Sequence, residues 1–417
     1  MIPRRTLLAT SIAAAAIRPA RAEDVQIDYW QYFFKERVAA MDAMIAQFEI
    51  ANPGIRVRHS YFPYAQYRAK VSAAVPAGEG PDVVQLYYGW LRDYRRARLL
   101  QPLPADLFPP DAIDRDFFPV VQQMRAEGTY WAVPTAIRSL GLFSNRHLLR
   151  EAGADPAVPP ATLDDFVAVA RSVARHDAAG NLTLAGTTIG LPSQDSHWWR
   201  EVLVRQFGGR PYSDDFRRVT YGDDAGSAAL AWYVGLQTGH HVAQAGFMSD
   251  SQAAFRAGRA GLHVNGSFLV GPLQAAKNLD WAVSELPVQN GIRANYASYW
   301  VNALAAGSTG PRREAALKFI AYLTTDAAMA LWLDATGELP ARARVAASPA
   351  ILNNPATAAL ANGLAYASTT DFVDEDAQRT VFVEMLDRVL IQQQAPGRAV
   401  RDAAAAEQKI IDAYYRT

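Results

Sequence analysis

From residue 25 onward, short apolar segments alternate with amphipathic segments, and this alternation constrains the fold more than any other feature of the sequence. Residues 25–30, 55–61 and 82–86 have the length and apolar content of strands. Residues 38–50 and 64–75, which lie between them, carry apolar side chains at helical spacing. A β-α-β-α-β order is typical of a doubly wound sheet, so the sequence predicts an α/β fold.

The first 22 residues predict an export signal. Arg4 and Arg5 precede an apolar run over residues 7–17 that is too short to cross a bilayer, and Ala22 ends a small-residue pattern suited to cleavage. The arginine pair also resembles a twin-arginine signal, so the export route stays open. The rest of the 417-residue chain exceeds the ~250–300 residues at which single cores stop growing, which predicts two domains.

Composition excludes several classes of function. The chain has 41 basic and 41 acidic residues, so it offers no positive field that would attract nucleic acid. It has no cysteine, which excludes thiol catalysis, Cys-ligated zinc, disulfides and a lipid-anchored cysteine. Beyond the signal, no apolar run reaches the ~18 residues that a transmembrane helix needs. We therefore expect a soluble protein without a lipid anchor, held in the periplasm of a Gram-negative cell.

The sequence carries no recognisable catalytic or metal-binding motif. Its seven histidines form no H-E-x-x-H pattern, and His240 and His241 are adjacent, so on regular structure they point in different directions. The acidic groups at 214–215 and 374–376 could serve acid–base chemistry or calcium binding. Neither has the calcium-loop pattern, which favours solvated acidic turns. The sequence predicts no enzymatic activity, no cofactor and no metal.

Aromatic residues stand beside polar residues where predicted strands end. Such groups occur at residues 30–34, 87–90, 197–199, 265–268 and 296–300. In open α/β sheets, ligands bind outside the carboxyl ends of the strands, where these groups fall. Aromatic faces cover the apolar C–H patches of a sugar while amide, hydroxyl and charged groups bind its hydroxyls. The pattern favours a sugar-binding cleft; the alternative is that these rings pack within the core.

Five segments, in order, resemble a known family. They are residues 48–57 (FEIANPGIRV), 78–84 (GEGPDVV), 128–145 (GTYWAVPTAIRSLGLFSN), 255–261 (FRAGRAG) and 316–323 (ALKFIAYL). Together they resemble the extracellular solute-binding proteins of ABC importers, in the maltodextrin-binding and glycerol-phosphate-binding group. The third segment departs from the family pattern at Trp131 and Ser144, where tyrosines are usual.

The resemblance implies a periplasmic-binding-protein-like α/β fold, with two lobes joined by hinge strands. The expected first lobe holds residues 23–135 and about 300–350, and the second holds 136–299 and about 351–417. The implied function is capture of a carbohydrate between closing lobes and delivery to the transmembrane subunits of an ABC permease. A chemoreceptor role would use the same fold. We expect a monomer without enzymatic activity.

The resemblance also implies a set of ligand-binding residues in the cleft between the lobes. Carried over position by position, they are Gln31, Tyr32, Tyr88, Gly89, Trp90, Arg138, Asp195, Ser196, His197, Gly266, Ser267, Phe268, Tyr299, Trp300 and Arg342. A glycosidase would instead need two carboxylates ~5–9.5 Å apart across the cleft, and Asp195 is the one acid in this set.

Two of these residues depart from the maltodextrin binders in ways that bear on the ligand. Phe268 stands where that group has a stacking tryptophan, and offers less surface and no N–H donor. Arg138 stands where that group has a carboxylate, and a guanidinium suits carboxylate or phosphate oxygens. The departures argue against a long maltodextrin and favour a short saccharide, an anionic sugar or a glycerophosphodiester. The alternative for Arg138 is a pair with a carboxylate of the protein itself.

Overall fold

The computed structural model describes residues 24–189, 194–276 and 278–416, and the side chains of residues 194–196 are not described. The predicted signal peptide lies outside these residues. The strands are β1 (Val25–Tyr32), β2 (Ile55–Phe62), β3 (Val83–Tyr87), β4 (Leu100–Gln101), β5 (Arg125–Ala126), β6 (Thr129–Tyr130), β7 (Ala132–Asn145), β8 (Arg175–His176), β9 (Leu182–Thr187), β10 (Ala260–Gly266), β11 (Trp281–Ser284), β12 (Asn295–Ala305), β13 (Leu339–Pro340) and β14 (Ala367–Ser368).

Helices connect most of the strands along the chain. They are α1 (Lys35–Ala51), α2 (Tyr64–Ala74), α3 (Leu91–Arg96), α4 (Pro110–Asp116), α5 (Arg146–Glu151), α6 (Leu163–Val173), α7 (Gln194–Gln206), α8 (Asp224–Thr238), α9 (Ser251–Arg256), α10 (Val270–Ala275), α11 (Gly310–Leu323), α12 (Asp326–Thr336), α13 (Ala343–Ala346), α14 (Pro349–Leu352), α15 (Ala358–Leu364), α16 (Glu375–Leu390) and α17 (Pro396–Arg416).

The predicted β-α-β-α-β start is confirmed, and its elements are β1, α1, β2, α2 and β3. Strand β1 pairs in parallel with both β2 and β3, as a doubly wound sheet requires. Helix α1 buries Met41, Met44, Ile45 and Phe48, whose spacing of three and four residues puts them on one face. The apolar period in the sequence therefore marked the buried face of this helix.

Two long strands, β7 and β12, run through the middle of the sheet and join its two halves. The described strands of this sheet follow the order β2-β1-β3-β12-β7-β10-β9-β8. Residues 132–134 and 137–139 of β7 pair with β12, whereas residues 140–144 pair with β10. All residues of β7 and of β12 are buried. We call the half around β1–β3 the first lobe and the half around β8–β11 the second lobe.

Among the described residues, no single helix is long and apolar enough to cross a membrane. Helices α11 and α12 meet these criteria only as a pair, with a bend of 65° between them. Both helices bury apolar side chains inside the fold, among them Phe319, Ile320 and Trp332.

Candidate functional site

A cleft of about 390 Å³ lies between the two lobes. Its volume is in the lower part of the range of ~300–1,000 Å³ that small-molecule sites occupy. The structure brings together four of the predicted residues on its walls: Tyr32, Arg138, Phe268 and Trp300. The other lining residues are Phe33, Phe34, Arg37, Tyr64, Trp198, Gln252 and Arg379. Phe33, Phe34 and Trp198 belong to the aromatic groups predicted at strand ends, but none of the seven was predicted as an individual ligand contact.

Tyr32 and Trp300 form an aromatic wall on the first-lobe side of the cleft. Tyr32 ends β1, Trp300 lies on β12, and their ring centroids are 4.1 Å apart at an interplanar angle of 31°. Tyr64 meets the Trp300 ring edge-on at 6.2 Å, and Trp90 meets it from behind at 5.4 Å. Because each ring is held by others, this wall is fixed before any ligand arrives.

The second lobe supplies the opposite aromatic wall. Trp198 projects from α7, and Phe268 follows the end of β10, with ring centroids 6.4 Å apart in an edge-to-face arrangement. Trp198 also donates a hydrogen bond of 3.3 Å from Nε1 to the Tyr87 hydroxyl of the first lobe. Phe268 remains half-buried, so part of its ring is free to contact a ligand. The cleft can therefore hold a flat, partly apolar molecule between two sets of rings.

A buried ion cluster borders the first aromatic wall. Glu338 accepts a hydrogen bond of 2.5 Å from Arg138 Nε, and its same oxygen pairs with Arg37. Its second oxygen accepts a 2.8 Å bond from Trp332 Nε1. Gly337 ends α12 in the left-handed conformation, with φ of 74°, and so turns the chain to bring Glu338 inward. The alternative that Arg138 pairs with a protein carboxylate is thus confirmed, and the partner is Glu338.

The charges in this cluster do not cancel. Burial opposes ionisation of Glu338, but the attraction of Arg138 and Arg37 outweighs it, so the pKa of Glu338 lies below its ordinary value. Burial, and then repulsion by Arg138, lowers the pKa of Arg37 to about 9, which leaves it protonated at neutral pH. Two cations therefore share one carboxylate.

A second charged group, on α16, reaches the cleft through Arg379. Its guanidinium lies 3.4 Å from Glu375 and 2.7 Å from Asp376. Glu375 also accepts a 3.3 Å hydrogen bond from Trp90 Nε1, which links α16 to the first lobe. Burial raises the pKa of Glu375 to about 7, although Arg379 opposes this shift. The acidic residues at 374–376 thus form the first turn of a helix and the preceding cap, and Glu375 is buried.

The family of the chain is shown by its sequence. The sequence profile described as bacterial extracellular solute-binding protein matches residues 43–359. The chain belongs to this family. As one of the bacterial extracellular solute-binding proteins, it is a non-enzymatic binding protein.

Individual relatives of this solute-binding protein are distant. It is 23% identical over 335 residues to the maltotriose-binding protein of Pyrococcus abyssi (strain GE5 / Orsay), covering 78% of this chain and 68% of the relative. It is 22% identical over 342 residues to the sn-glycerol-3-phosphate-binding periplasmic protein UgpB of Escherichia coli (strain K12), covering 75% and 74%. The mixed α/β fold is shared with solved structures.

One such structure is UgpB from Mycobacterium tuberculosis in complex with glycerophosphocholine. It superposes with a TM-score of 0.82 at 20% identity, over 94% of this chain and 99% of that one. Another is an ABC transporter solute-binding protein from Thermotoga lettingae bound with α-D-tagatose, with a TM-score of 0.81 at 19% identity, over 93% and 100%. At these identities the likeness establishes the fold, which confirms the predicted fold class.

Several predicted contacts of the solute-binding protein lie behind the cleft wall. Tyr88 stacks on Tyr299 with centroids 4.7 Å apart, and its hydroxyl lies 2.5 Å from that of Tyr296. Tyr299 donates a 2.7 Å hydrogen bond to the Val120 carbonyl. Since neighbouring residues on a strand point to opposite faces, Tyr299 turns away from the cleft that Trp300 lines. Tyr88 and Tyr299, which were predicted as ligand-binding residues, are therefore not among the residues that line the cleft.

Gly89, Trp90 and His197 are also buried and do not line the cleft. Gly89 packs so closely that an added Cβ would lie 2.8 Å from the Phe372 ring. Trp90 supports Trp300 from behind instead of lining the cleft. His197 is buried, with its ring 5.3 Å from that of Phe372. Asp195 and Ser196 belong to α7, but their side chains lie outside the described part of the structure.

Four other predicted residues do not line the cleft, because three of them are buried and the fourth binds other groups of the protein. Gln31 is fully buried on the face of β1 opposite Tyr32. Gly266 and Ser267 are buried beneath Phe268, whose ring would lie 2.5 Å from a Cβ at position 266. Arg342 donates to the Thr324 carbonyl at 3.0 Å and pairs with Asp116 at 3.3 Å. Arg342 is therefore not among the residues that line the cleft, and its guanidinium binds groups of the protein itself.

Proposed function

We propose that this solute-binding protein captures a short carbohydrate or sugar derivative in the cleft between its lobes. The observation that supports this most directly is the pairing of two aromatic walls, Tyr32–Trp300 and Trp198–Phe268, with arginines and Gln252 between them. Rings of this kind cover the C–H faces of a sugar, and the polar groups bind its hydroxyls. The maltotriose-binding and tagatose-bound relatives are consistent with such a ligand.

We further propose that the loaded protein delivers its ligand to the transmembrane subunits of the permease, as a periplasmic monomer without a lipid anchor. The proposed lobes are residues 23–135 with about 300–350, and 136–299 with about 351–417. This division is supported by the change of partner along β7, from β12 to β10. Closure would rotate the lobes about β7 and β12 and shut water out of the cleft.

A ligand panel tests the proposed function. A saccharide present at about 100 times its Kd adds ~2.7 kcal/mol to the free energy of unfolding, because it binds the folded state alone. Thermal unfolding with neutral and acidic mono- and disaccharides should therefore reveal at least one large upward shift in Tm. Isothermal calorimetry then gives the Kd. No shift and no heat across the panel would contradict a carbohydrate ligand.

Phe268→Ala is expected to raise the Kd of the bound saccharide by ~10-fold, since it removes one ring of the second wall. Phe268→Trp, which provides a larger stacking surface than the native ring, should bind the saccharide at least as tightly as the native protein does. Phe247→Ala is a matched control, because Phe247 is also half-buried but does not line the cleft. Calorimetry measures the Kd of the saccharide for the three variants. Equal losses of affinity in Phe268→Ala and Phe247→Ala would contradict a role for the second wall in binding.

A further inference from the structure

The Arg37–Glu338–Arg138 cluster has an excess positive charge beside the cleft. Arg37 and Arg138 have exposed fractions of 3% and 6%, so water compensates little of their charge. Among the described residues, Glu338 is the one carboxylate within ion-pair distance of either arginine. A buried charge without a counter-charge is unfavourable, and this cluster leaves one positive charge without a partner.

Arg37 also has unused hydrogen-bonding capacity. One of its terminal nitrogens pairs with Glu338, whereas Nε and Nη1 are buried without a hydrogen-bond partner in the described part of the structure. The rings of Tyr32 and Phe34 hold its guanidinium between them, with centroids 4.9 and 4.8 Å from the central carbon. The guanidinium is thus held in place while two of its nitrogens can still donate hydrogen bonds.

Arg138 is held in a similar way. Nε is bound to Glu338, Nη2 donates to the Tyr32 hydroxyl at 3.3 Å, and the central carbon lies 5.3 Å from the centre of the Phe268 ring. Both arginines line the cleft next to Trp300. Arg379, the third cation of the cleft wall, differs because it pairs with two carboxylates, Glu375 and Asp376. The charge excess is therefore confined to the Arg37–Arg138 side.

We propose that the ligand is a sugar derivative whose carboxylate or phosphate group binds Arg37 and Arg138 beside Trp300. The proposal rests on the carbohydrate function proposed above and names its substrate class. An anionic group supplies the missing counter-charge and accepts charge-assisted hydrogen bonds from the guanidinium groups. A neutral hydroxyl accepts such bonds but leaves the buried charge uncompensated. Glu338 is then a positioning residue, which holds both guanidinium groups without neutralising them.

Matched ligand pairs test this subsite by calorimetry. Each acidic sugar is compared with its neutral counterpart: galacturonate with galactose, glucuronate with glucose, and glucose 1-phosphate with glucose. In at least one pair we expect the Kd of the acidic sugar to be at least ~10-fold lower than that of the neutral sugar. A preference for the uronates identifies a carboxylate ligand, and a preference for the phosphate identifies a phosphate ligand. Arg37→Gln and Arg138→Gln should each reduce this preference to less than ~3-fold. Glu338 keeps one arginine partner in either variant, so neither leaves it as an uncompensated charge.

Arg342→Gln is the control, since Arg342 pairs with Asp116 outside the cleft wall. It should leave the ratio between anionic and neutral ligands unchanged. A purely structural effect of the two test variants would weaken both members of a pair equally, which would overturn the proposal. Preferential binding of the neutral sugars by the native protein would overturn it too, while leaving the carbohydrate function intact. Failure of every ligand to bind would instead contradict the carbohydrate function itself.

Discussion

Glu338→Ala is expected to lower the free energy of unfolding by about 3–5 kcal/mol, because it leaves two buried arginines without a counter-charge. The Trp332 Nε1 donor also loses its 2.8 Å acceptor. Urea unfolding at neutral pH measures the change. The control is Asp214→Ala, which removes the exposed ion pair of Asp214 with Arg210 and should change stability by less than ~1 kcal/mol. A loss below ~1 kcal/mol for Glu338→Ala would contradict the role assigned to the buried cluster.

The contribution of Glu338 to the free energy of unfolding should decrease as the pH falls. Although burial favours the neutral acid, Arg138 and Arg37 hold the folded-state pKa of Glu338 below that of the unfolded chain, which is ~4.3. A group of this kind stabilises the fold above its unfolded pKa and loses that effect as pH falls through its folded pKa. The stability difference between the native protein and Glu338→Gln should therefore be full at pH 7 and shrink below about pH 4.

Trp300→Ala is expected to raise the Kd of the saccharide by ~30-fold or more, the effect of removing a central aromatic anchor. Trp300 contacts Tyr32, Tyr87 and Trp90 and gives the first cleft wall its flat face. The same change removes a buried ring and should cost about 3–5 kcal/mol of stability. Calorimetry at a temperature where the variant remains folded isolates the binding effect.

Trp131→Ala is the matched control for Trp300→Ala. Trp131 is half-buried under Arg95, whose guanidinium carbon lies 4.5 Å from the ring centre, and it does not line the cleft. We expect the control variant to bind saccharide with its native Kd. Trp300→Leu, which retains apolar bulk without a flat face, should bind as weakly as Trp300→Ala. Native affinity in Trp300→Leu would show that stacking on this residue is not needed.

The sequence predicted part of the candidate site because strand ends can be recognised locally. Tyr32 ends β1, and Phe268 follows β10, so both lie where ligands of α/β sheets bind. Three of the residues that were not predicted come from helices near the cleft. Arg37 lies in the first turn of α1, Tyr64 begins α2, and Arg379 lies near the start of α16. No local pattern distinguishes these residues from ordinary helix starts.

The sequence by itself determined the α/β class and the family of this protein. Both depend on local periodicity and short motifs, which can be recognised without knowledge of tertiary contacts. Tertiary structure alone decided which side chains meet. Glu338 reaches Arg138 across 200 residues of sequence. On β12, the register against β7 shifts between Tyr299 and Val301, and Trp300 faces the cleft while Tyr299 faces the Val120 carbonyl. Pairing across two long strands depends on how the lobes pack, which no local segment encodes.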